Sequence, residues 1–322
     1  MSSPDPHTPA RAADTAPTGI SRRGILKSMV AAGLLAAVAG TGDFFTAAPA
    51  AAATTTALPV IPPLPDTVSG VATPRIPLTS GWRYTTTPPP SFWTTATNTS
   101  SWTAVNVPGE PAMQGQTVPS NQECAYSVKV GVPADYAGRT IMLRFDGVYS
   151  YARLWVNGTL VTTHDGGFTT WYADITALVT PGQQATVTVG VTDRPSSIAG
   201  QSGYAKHNIG GILRDVTLVA LPASHLTRLH TDTTFDTSYT NATLTVTAAA
   251  ALAAGKTGNV ALTLTDPAGQ PVPLTPASIT LTGAAPQKAV AIPVNTPRKW
   301  DAEHPNLYTL RRHLIWIAVG CR

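Results

Sequence analysis

Short runs of alternating apolar and polar residues, each ended by Gly, Pro, Asn or Asp, dominate this chain between residues 126 and 221. The clearest runs are YSVKVGV, TIMLRFDGV, ARLWVNGTLVTTH, ATVTVGVTD and DVTLVAL. A period of two places alternate side chains on opposite faces of a β-strand, and β-branched residues favour that geometry. Breaks at regular intervals are typical of antiparallel strands in a sandwich. The sequence therefore predicts an all-β fold, and no long amphipathic helix pattern accompanies it.

The stretch LWVNGTLV contains the clearest turn signal. Asn157 and Gly158 both tolerate positive φ, which a type I′ turn requires at its two central residues. The stretch therefore predicts a β-hairpin.

A second series of alternating runs follows Pro222. Its members are ATLTVTAAAALAA, NVALTLTDPAGQPV, ASITLTG and KAVAIPV. The residue types of Asp266-Pro267-Ala268-Gly269 favour a turn between two of these strands. The length of the series, about 90 residues, suits a small immunoglobulin-like sandwich. We therefore predict one β-sandwich over residues 75–222 and a second over 223–310.

The first 53 residues have the pattern of a signal peptide. SRRGILK is followed by about 13 apolar residues and then by an Ala-rich cleavage zone. The apolar run is too short for a membrane span, which needs about 20 residues. Arg22 and Arg23 resemble a twin-arginine signal, with Ile25 where that motif usually carries Phe. We expect a secreted protein without a membrane partner after cleavage, beginning with a proline-rich lead-in over 54–74.

Charge and cysteine content exclude several functions. Only 12% of residues are charged, and the net charge of +4 comes mainly from basic residues near the two ends. A nearly neutral middle argues against nucleic acid as a partner. Cys124 and Cys321 form no disulfide framework or metal site, so we expect no cofactor and a simply buried Cys124.

Four motifs occur in order along the first predicted sandwich: Phe145-Asp146-Gly147-Val148, Trp155-Val156-Asn157-Gly158, Asp174-Ile175-Thr176 and Gly211-Ile212-Leu213-Arg214-Asp215-Val216. Their order and spacing resemble the N-terminal half of glycoside hydrolase family 2 enzymes. That family includes β-galactosidases, β-glucuronidases and β-mannosidases. The resemblance covers about residues 75–310 and implies a galactose-binding-like jelly-roll sandwich followed by an immunoglobulin-like β-sandwich.

The resemblance also implies that catalysis belongs to another part of such enzymes. Family members use two glutamates of a barrel domain, one as the acid and one as the nucleophile. This chain has glutamate only at 110, 123 and 303, and none follows an asparagine as the family's acid does. We therefore predict no catalytic residue and no turnover by this polypeptide alone. Residues 311–322 fit neither the family nor a module, so we expect an aberrant tail and a gene truncated by a frameshift or premature stop.

The resemblance places one sugar-contacting residue at Asn121, five residues before Tyr126. An amide offers both a donor and an acceptor to a sugar hydroxyl, while the alternative is a turn former in a polar loop. A family aspartate falls on Ala205, which weakens any claim of galactosidase or glucuronidase specificity. The adjacent Lys206 and His207 are further candidates for substrate binding, with a solvated loop pair as the alternative.

Other polar and aromatic groups are better explained structurally. Strand neighbours Arg214 and Asp215 point to opposite faces, and His164 with Asp165 precedes a glycine turn. Asp301 and Glu303 lie between prolines in a linker. The tryptophans are either core residues or a sugar-stacking platform, and they stand at positions 82, 93, 102, 155 and 171.

Three functions fit these features. The first is the non-catalytic part of a secreted family 2 glycoside hydrolase, with carbohydrate as its partner. The second is a stand-alone secreted carbohydrate-binding protein. The third is a cell-surface spacer or adhesin, for which we would expect an anchor or sorting tail after residue 310 that the sequence does not show.

Overall fold

The computed structural model describes residues 60–194 and 209–318. Three short 3-10 helices lie at Ala112–Gln114, Ala134–Tyr136 and Thr176–Leu178. The first sandwich is built from β1 Arg75–Pro77, β2 Arg83–Thr85, β3 Thr103–Ala104, β4 Glu123–Gly131, β5 Thr140–Phe145, β6 Val148–Tyr149, β7 Tyr151–Val156, β8 Thr159–Asp165, β9 Trp171–Asp174, β10 Gln184–Thr192, β11 Gly211–Ile212 and β12 Val216–Leu221. The second is built from β13 His225–Phe235, β14 Ala242–Ala251, β15 Lys256–Thr265, β16 Pro271–Val272, β17 Ser278–Leu281, β18 Gln287–Val294 and β19 Thr309–Ala318.

The first sandwich has two main antiparallel sheets. Six strands run in the order β3-β2-β4-β10-β7-β8, and four run in the order β1-β12-β5-β9. The core of this module contains Trp82, Tyr136, Phe145, Leu154 and Leu218, each at most 1% exposed. Two stacked antiparallel sheets around one apolar core confirm the predicted all-β sandwich class.

Strand β10 shows how the alternation in the sequence creates this architecture. Its buried members Ala185, Val187, Val189 and Val191 belong to the core cluster. Burying one valine side chain contributes roughly 1.5–3 kcal/mol of stability. The residues between them are polar or small and lie on the other face of the same sheet. This outer face of the six-stranded sheet carries the candidate site.

The hairpin predicted at Asn157-Gly158 is confirmed. Asn157 has φ of 49° and Gly158 has φ of 84°, and they join β7 to β8. The Asn157 side chain also connects distant segments, because its Nδ2 donates to Leu178 O and its Oδ1 accepts from Thr186 N, both at 2.8 Å.

The second sandwich is smaller. One sheet has the order β13-β14-β18, and in the other β15 pairs with β16 and β17 and with β19. Its core includes Leu244, Val246, Val260, Ile279 and Ile292. The turn predicted at residues 266–269 is present: Gly269 N donates to Asp266 O at 2.9 Å, and Gly269 has φ of 78°.

The prediction of an aberrant tail over residues 311–322 is wrong for residues 311–318. These residues continue β19, and ten consecutive pairs join Thr309–Ala318 to Lys256–Thr265 without a register shift. Leu310 and Leu314 pack against the second core, whereas Arg311 and Arg312 are exposed. The two adjacent arginines interrupt the apolar pattern of the sequence. The segment is nevertheless a strand, because it is hydrogen-bonded to β15, about 50 residues earlier in the chain. Residues 319–322 and the predicted signal peptide lie outside the described ranges.

The lead-in packs on the first sandwich over its described residues. Val68 is 4% exposed, and the Tyr136 hydroxyl donates to Thr73 O at 2.7 Å. Ala72 N donates to Asp135 Oδ2 at 2.7 Å. These contacts make the described part of the lead-in an edge segment of the first sandwich and not a free spacer.

Candidate functional site

The candidate site is an open pocket of about 420 Å³ at one end of the six-stranded sheet. Strands β4 and β7 begin there and β10 ends there, because β10 runs antiparallel to both. Glu123, Thr192 and Tyr151 lie opposite one another in a single row across these strands. The lining residues are Asn121, Glu123, Tyr151, Arg153, Thr192 and Arg194.

Asn121 enters the pocket from the turn before β4. Its backbone has φ of 57°, a left-handed conformation that asparagine tolerates better than most residues. Its N–H donates to Asp193 O at 2.7 Å, and this bond fixes the turn against the end of β10. The side-chain Nδ2 makes one long contact of 3.4 Å to Ser120 Oγ. The backbone is therefore held while the amide remains exposed at the pocket, and the sugar contact at Asn121 stays a prediction.

Glu123 and Arg153 form a bidentate ion pair across the sheet. Arg153 Nε donates to Glu123 Oε1 at 2.7 Å, and Arg153 Nη2 donates to Glu123 Oε2. Hydrogen bonding to Glu123 raises the pKa of Arg153 above its usual value. The Arg153 guanidinium also lies 4.8 Å from the centre of the Trp155 ring. Both oxygens of the Glu123 carboxylate are therefore occupied by one cation.

Arg194 adds a second cation. Its Cζ lies 3.5 Å from the centre of the Tyr151 ring, a cation–π contact. Its backbone N–H donates to Ser150 Oγ at 2.8 Å, and this bond anchors the chain as it leaves β10. Among the described lining residues, two arginines stand beside one carboxylate.

Asp193 stands in sequence between the pocket residues Thr192 and Arg194 and is only 3% exposed. Its Oδ1 has no hydrogen-bond partner among the described residues. Burial raises the pKa of Asp193 above its ordinary value. The neighbouring cavity, lined partly by Tyr84, Cys124 and Tyr126, measures about 10 Å³, enough for about one water molecule. Cys124 is a buried free thiol, as predicted.

Lys206 and His207, the other two candidate substrate-binding residues, lie outside the described residues, as does Ala205. The structure therefore tests neither of them. Four of the five candidate platform tryptophans are at most 7% exposed, which favours the core reading over a platform. Trp93 is half-buried and stacks on Trp155 at 5.2 Å.

The other groups interpreted structurally make structural contacts. His164 and Asp165 end β8 rather than lying in a loop, and the His164 ring stacks on Trp171 at 5.1 Å. Burial lowers the pKa of His164. Asp301 is exposed and accepts a hydrogen bond from His304 N at 2.6 Å. Arg214 and Asp215 lie between β11 and β12, so the interpretation of these two residues as strand neighbours is wrong. The Arg214 guanidinium lies 5.8 Å from the centre of the Phe168 ring.

Sequence reasoning missed the two arginines of the pocket. Arg153 pairs with a glutamate 30 residues earlier, and no local motif signals such a contact. The strand register supplies the signal, because it places alternate residues of β4 and β7 on one face. Chemically, the pocket offers one exposed amide and a cationic wall, which suit hydroxyl groups and carboxylates.

Within residues 60–194 and 209–318, no group of three His, Cys, Asp or Glu side chains is arranged to hold a metal ion. Over the same ranges, no helix has the length and hydropathy needed to cross a membrane.

Two family models match the chain. The sugar-binding domain of glycosyl hydrolases family 2 matches residues 83–222, and a second model of glycosyl hydrolases family 2 matches residues 224–316. The second match extends past Leu310 into β19, in agreement with the strand described above.

Curated relatives include a putative β-glucuronidase of Formosa agariphila, 32% identical over 174 residues, and a β-galactosidase of Priestia megaterium, 26% identical over 238 residues. These alignments cover 54% and 65% of this chain but only 20% and 23% of the relatives. A crystal structure of a Bacteroides uniformis β-glucuronidase shares the fold, with a TM-score of 0.60 and 24% identity, covering 76% of this chain and 32% of that one. Residues 83–316 of this chain therefore belong to glycosyl hydrolases family 2, as its sugar-binding domain and the family domain that follows.

Proposed function

We propose that this chain is a secreted, carbohydrate-binding and non-catalytic part of a family 2 glycoside hydrolase system. The observation that carries the proposal is the pocket that the exposed Asn121 lines together with Arg153 and Arg194. An amide pairs with sugar hydroxyls, and guanidinium groups pair with hydroxyls or a carboxylate.

The carboxylate content of the pocket supports the absence of turnover. Retaining and inverting glycosidases both need two carboxyl groups beside the scissile bond. Among the described lining residues, Glu123 is the one carboxylate, and Arg153 occupies both of its oxygens. Because both oxygens are held by Arg153, this carboxylate is badly placed to attack a sugar carbon.

The ligand class follows from the charge of the pocket and from the relatives. The relatives named above are a β-galactosidase and β-glucuronidases. We infer a β-glycoside, and the two arginines of the lining favour a terminal glucuronic acid over galactose.

Titration calorimetry with glucuronate, galactose and mannose tests binding. We expect saturable binding that is tightest for glucuronate and weakens roughly tenfold in Asn121→Ala, since a side-chain hydrogen bond contributes about 0.5–1.5 kcal/mol. Asn295→Ala, at an exposed position of the second sandwich, is the matched control. Equal affinity in Asn121→Ala and the parent chain would reject Asn121 as a sugar contact.

A second assay tests the non-catalytic role. The purified chain, incubated with chromogenic galactosides, glucuronides and mannosides, should release no dye above background. Robust release would overturn this part of the proposal.

Export is tested separately. We expect a fusion of residues 1–53 to a reporter to leave the cytoplasm of a bacterium with a twin-arginine pathway, and Arg22→Lys together with Arg23→Lys to abolish export. Retention of the parent fusion in the cytoplasm would refute secretion.

A further inference from the structure

A second opening lies on the outer face of the six-stranded sheet, away from the Asn121 pocket. We call it the outer groove. It is an open pocket of about 420 Å³ between the sheet and the loop of residues 91–100. Six lining residues matter for its chemistry: Arg83, Asn98, Ser127, Lys129, Thr186 and Thr188.

Strand register builds the floor of the outer groove. Arg83, Ser127 and Thr188 lie opposite one another in one row across β2, β4 and β10. Lys129 and Thr186 form the next row, about 7 Å further along the strands, since each residue advances the strand about 3.4 Å. Directly paired residues project from the same face. Two cations and three hydroxyl groups are therefore brought onto one surface.

The loop wall is fixed by its own contacts. Phe92 and Trp102 are 4% and 7% exposed and belong to one apolar cluster with Trp155. Between these anchors, Thr94 Oγ1 and Thr97 Oγ1 are 3.1 Å apart, and Ser100 N donates to Asn98 Oδ1 at 3.0 Å. The wall is therefore held by contacts within the chain itself, which lowers the entropy lost on binding.

Two residues of very low exposure distinguish the outer groove from an ordinary polar surface. Ser127 is 5% exposed and Thr188 is 2% exposed, yet both line the groove. Buried polar side chains are normally hydrogen-bonded, as Ser150 is, because its Oγ accepts from Arg194 N and contacts Thr192 O. Within the described residues, the Ser127 and Thr188 hydroxyls make no such bond, and neither oxygen is among the fully enclosed polar atoms that lack a partner. Both oxygens are therefore accessible from the groove, where a ligand can bond to them.

The chemistry of the lining selects the ligand. Hydroxyl and amide groups both donate and accept, and sugar hydroxyls do the same. A nucleobase would need an exposed ring face to stack on, but the Phe92 ring is buried. Arg83 and Lys129 line the groove, and no Asp or Glu is among its described lining residues. An anionic group on the sugar would therefore be attracted.

We propose that the outer groove is a second carbohydrate site, which binds an oligosaccharide carrying a carboxylate, such as a uronic acid residue. The carboxylate contacts Lys129 and Arg83, while sugar hydroxyls bond to Ser127, Thr186 and Thr188. This site is distinct from the Asn121 pocket and does not depend on the function proposed for that pocket.

The test uses trigalacturonate as the anionic probe and α-1,4-galactotriose, which has the same linkage without the carboxylates, as the neutral one, with the full chain and titration calorimetry. We expect saturable binding of trigalacturonate that weakens about tenfold or more in Lys129→Gln, since a hydrogen bond to a charged group is among the stronger ones. Lys288→Gln, on an exposed position of β18, should leave affinity unchanged. The neutral trisaccharide should bind at least tenfold more weakly.

Thr188→Val separates binding from folding. It removes a hydroxyl group that has no protein partner, so thermal stability should stay the same or rise, while affinity falls severalfold. The matched control is Thr263→Val, on an exposed strand position of the second sandwich. Asn121→Ala should leave trigalacturonate binding in the groove intact, even if the proposed function of the Asn121 pocket fails. No saturable binding, equal binding in Lys129→Gln and Thr188→Val, or equal affinity for the neutral sugar would each overturn the proposal.

Discussion

The side chain of Asn157 should contribute more stability than its turn position alone requires. Asn157→Ala removes two hydrogen bonds of 2.8 Å, to Leu178 O and from Thr186 N, and leaves alanine at φ of 49°. Each bond contributes about 0.5–1.5 kcal/mol. The left-handed conformation costs a residue with a Cβ roughly 1–2 kcal/mol. We expect a loss of about 2–5 kcal/mol in the free energy of unfolding.

Two further variants separate these contributions. Asn157→Gly loses both bonds but relieves the backbone strain, so it should cost about 1–3 kcal/mol. Asn157→Asp keeps the acceptor for Thr186 N but places a carboxylate against Leu178 O, and should cost about 1–3 kcal/mol.

Urea unfolding followed by tryptophan fluorescence measures the loss, since five of the seven tryptophans lie in the first sandwich. Asn295→Ala is the control, expected within about 0.5 kcal/mol of the parent. If Asn157→Gly were neutral, the two bonds would contribute nothing. If alanine and glycine cost the same, backbone strain would be irrelevant. Either result would refute the reasoning.

Three other variants test the core, the buried carboxylate and the exposed edge. Leu154→Ala, at a position that is 0% exposed, should cost about 2–5 kcal/mol in urea unfolding, and a loss below about 1 kcal/mol would contradict the packing described. Burial raises the pKa of Asp193, so the folded state binds a proton that the unfolded chain releases, and stability should fall as pH rises from 3.8 through the raised pKa. Asp193→Asn should flatten that decline in thermal unfolding, and an unchanged slope would argue against it. Ile315 is 46% exposed on β19, whose second edge pairs with no strand in the described ranges, so Ile315→Lys should reduce concentration-dependent association in analytical ultracentrifugation. Identical sedimentation of the two chains would reject that expectation.

Local chemistry made part of the fold predictable. The Asn157-Gly158 turn and the turn at 266–269 depend on backbone preferences of a few adjacent residues. Strand β10 was predictable because its valines alternate with threonines across a sheet that has one buried face. In each case, the deciding interaction lies within about ten residues.

Contacts between distant residues account for the failures. Residues 311–318 were misread because pairing with β15, not local pattern, makes them a strand. The Glu123–Arg153 pair and the row of Arg83, Ser127 and Thr188 follow from strand register. Register was not predictable without knowing the order of strands in the sheet.

The glycine at 190 shows how one small residue divides the outer face of the sheet. Gly190 and Ala125 are paired, and together they leave space for the Phe92 ring. A Cβ at Gly190 would lie 3.2 Å from Phe92 Cζ and would overlap Glu123 Oε1. The close approach lets Phe92 anchor its loop between the Asn121 pocket on one side and the outer groove on the other.

Because Phe92 separates the Asn121 pocket from the outer groove, substitutions in the two sites should change binding free energy independently. Glu123 and Ser127 are four residues apart on β4, which corresponds to about 14 Å along the strand. Mutational effects at sites separated by more than about 7–10 Å without shared partners usually add within roughly 0.3–0.5 kcal/mol. For binding in the outer groove, the double variant Asn121→Ala, Lys129→Gln should therefore lose trigalacturonate affinity by the same factor as Lys129→Gln alone. A clearly larger loss of affinity in the groove itself, resolved from any separate binding in the Asn121 pocket, would mean that one ligand spans both openings.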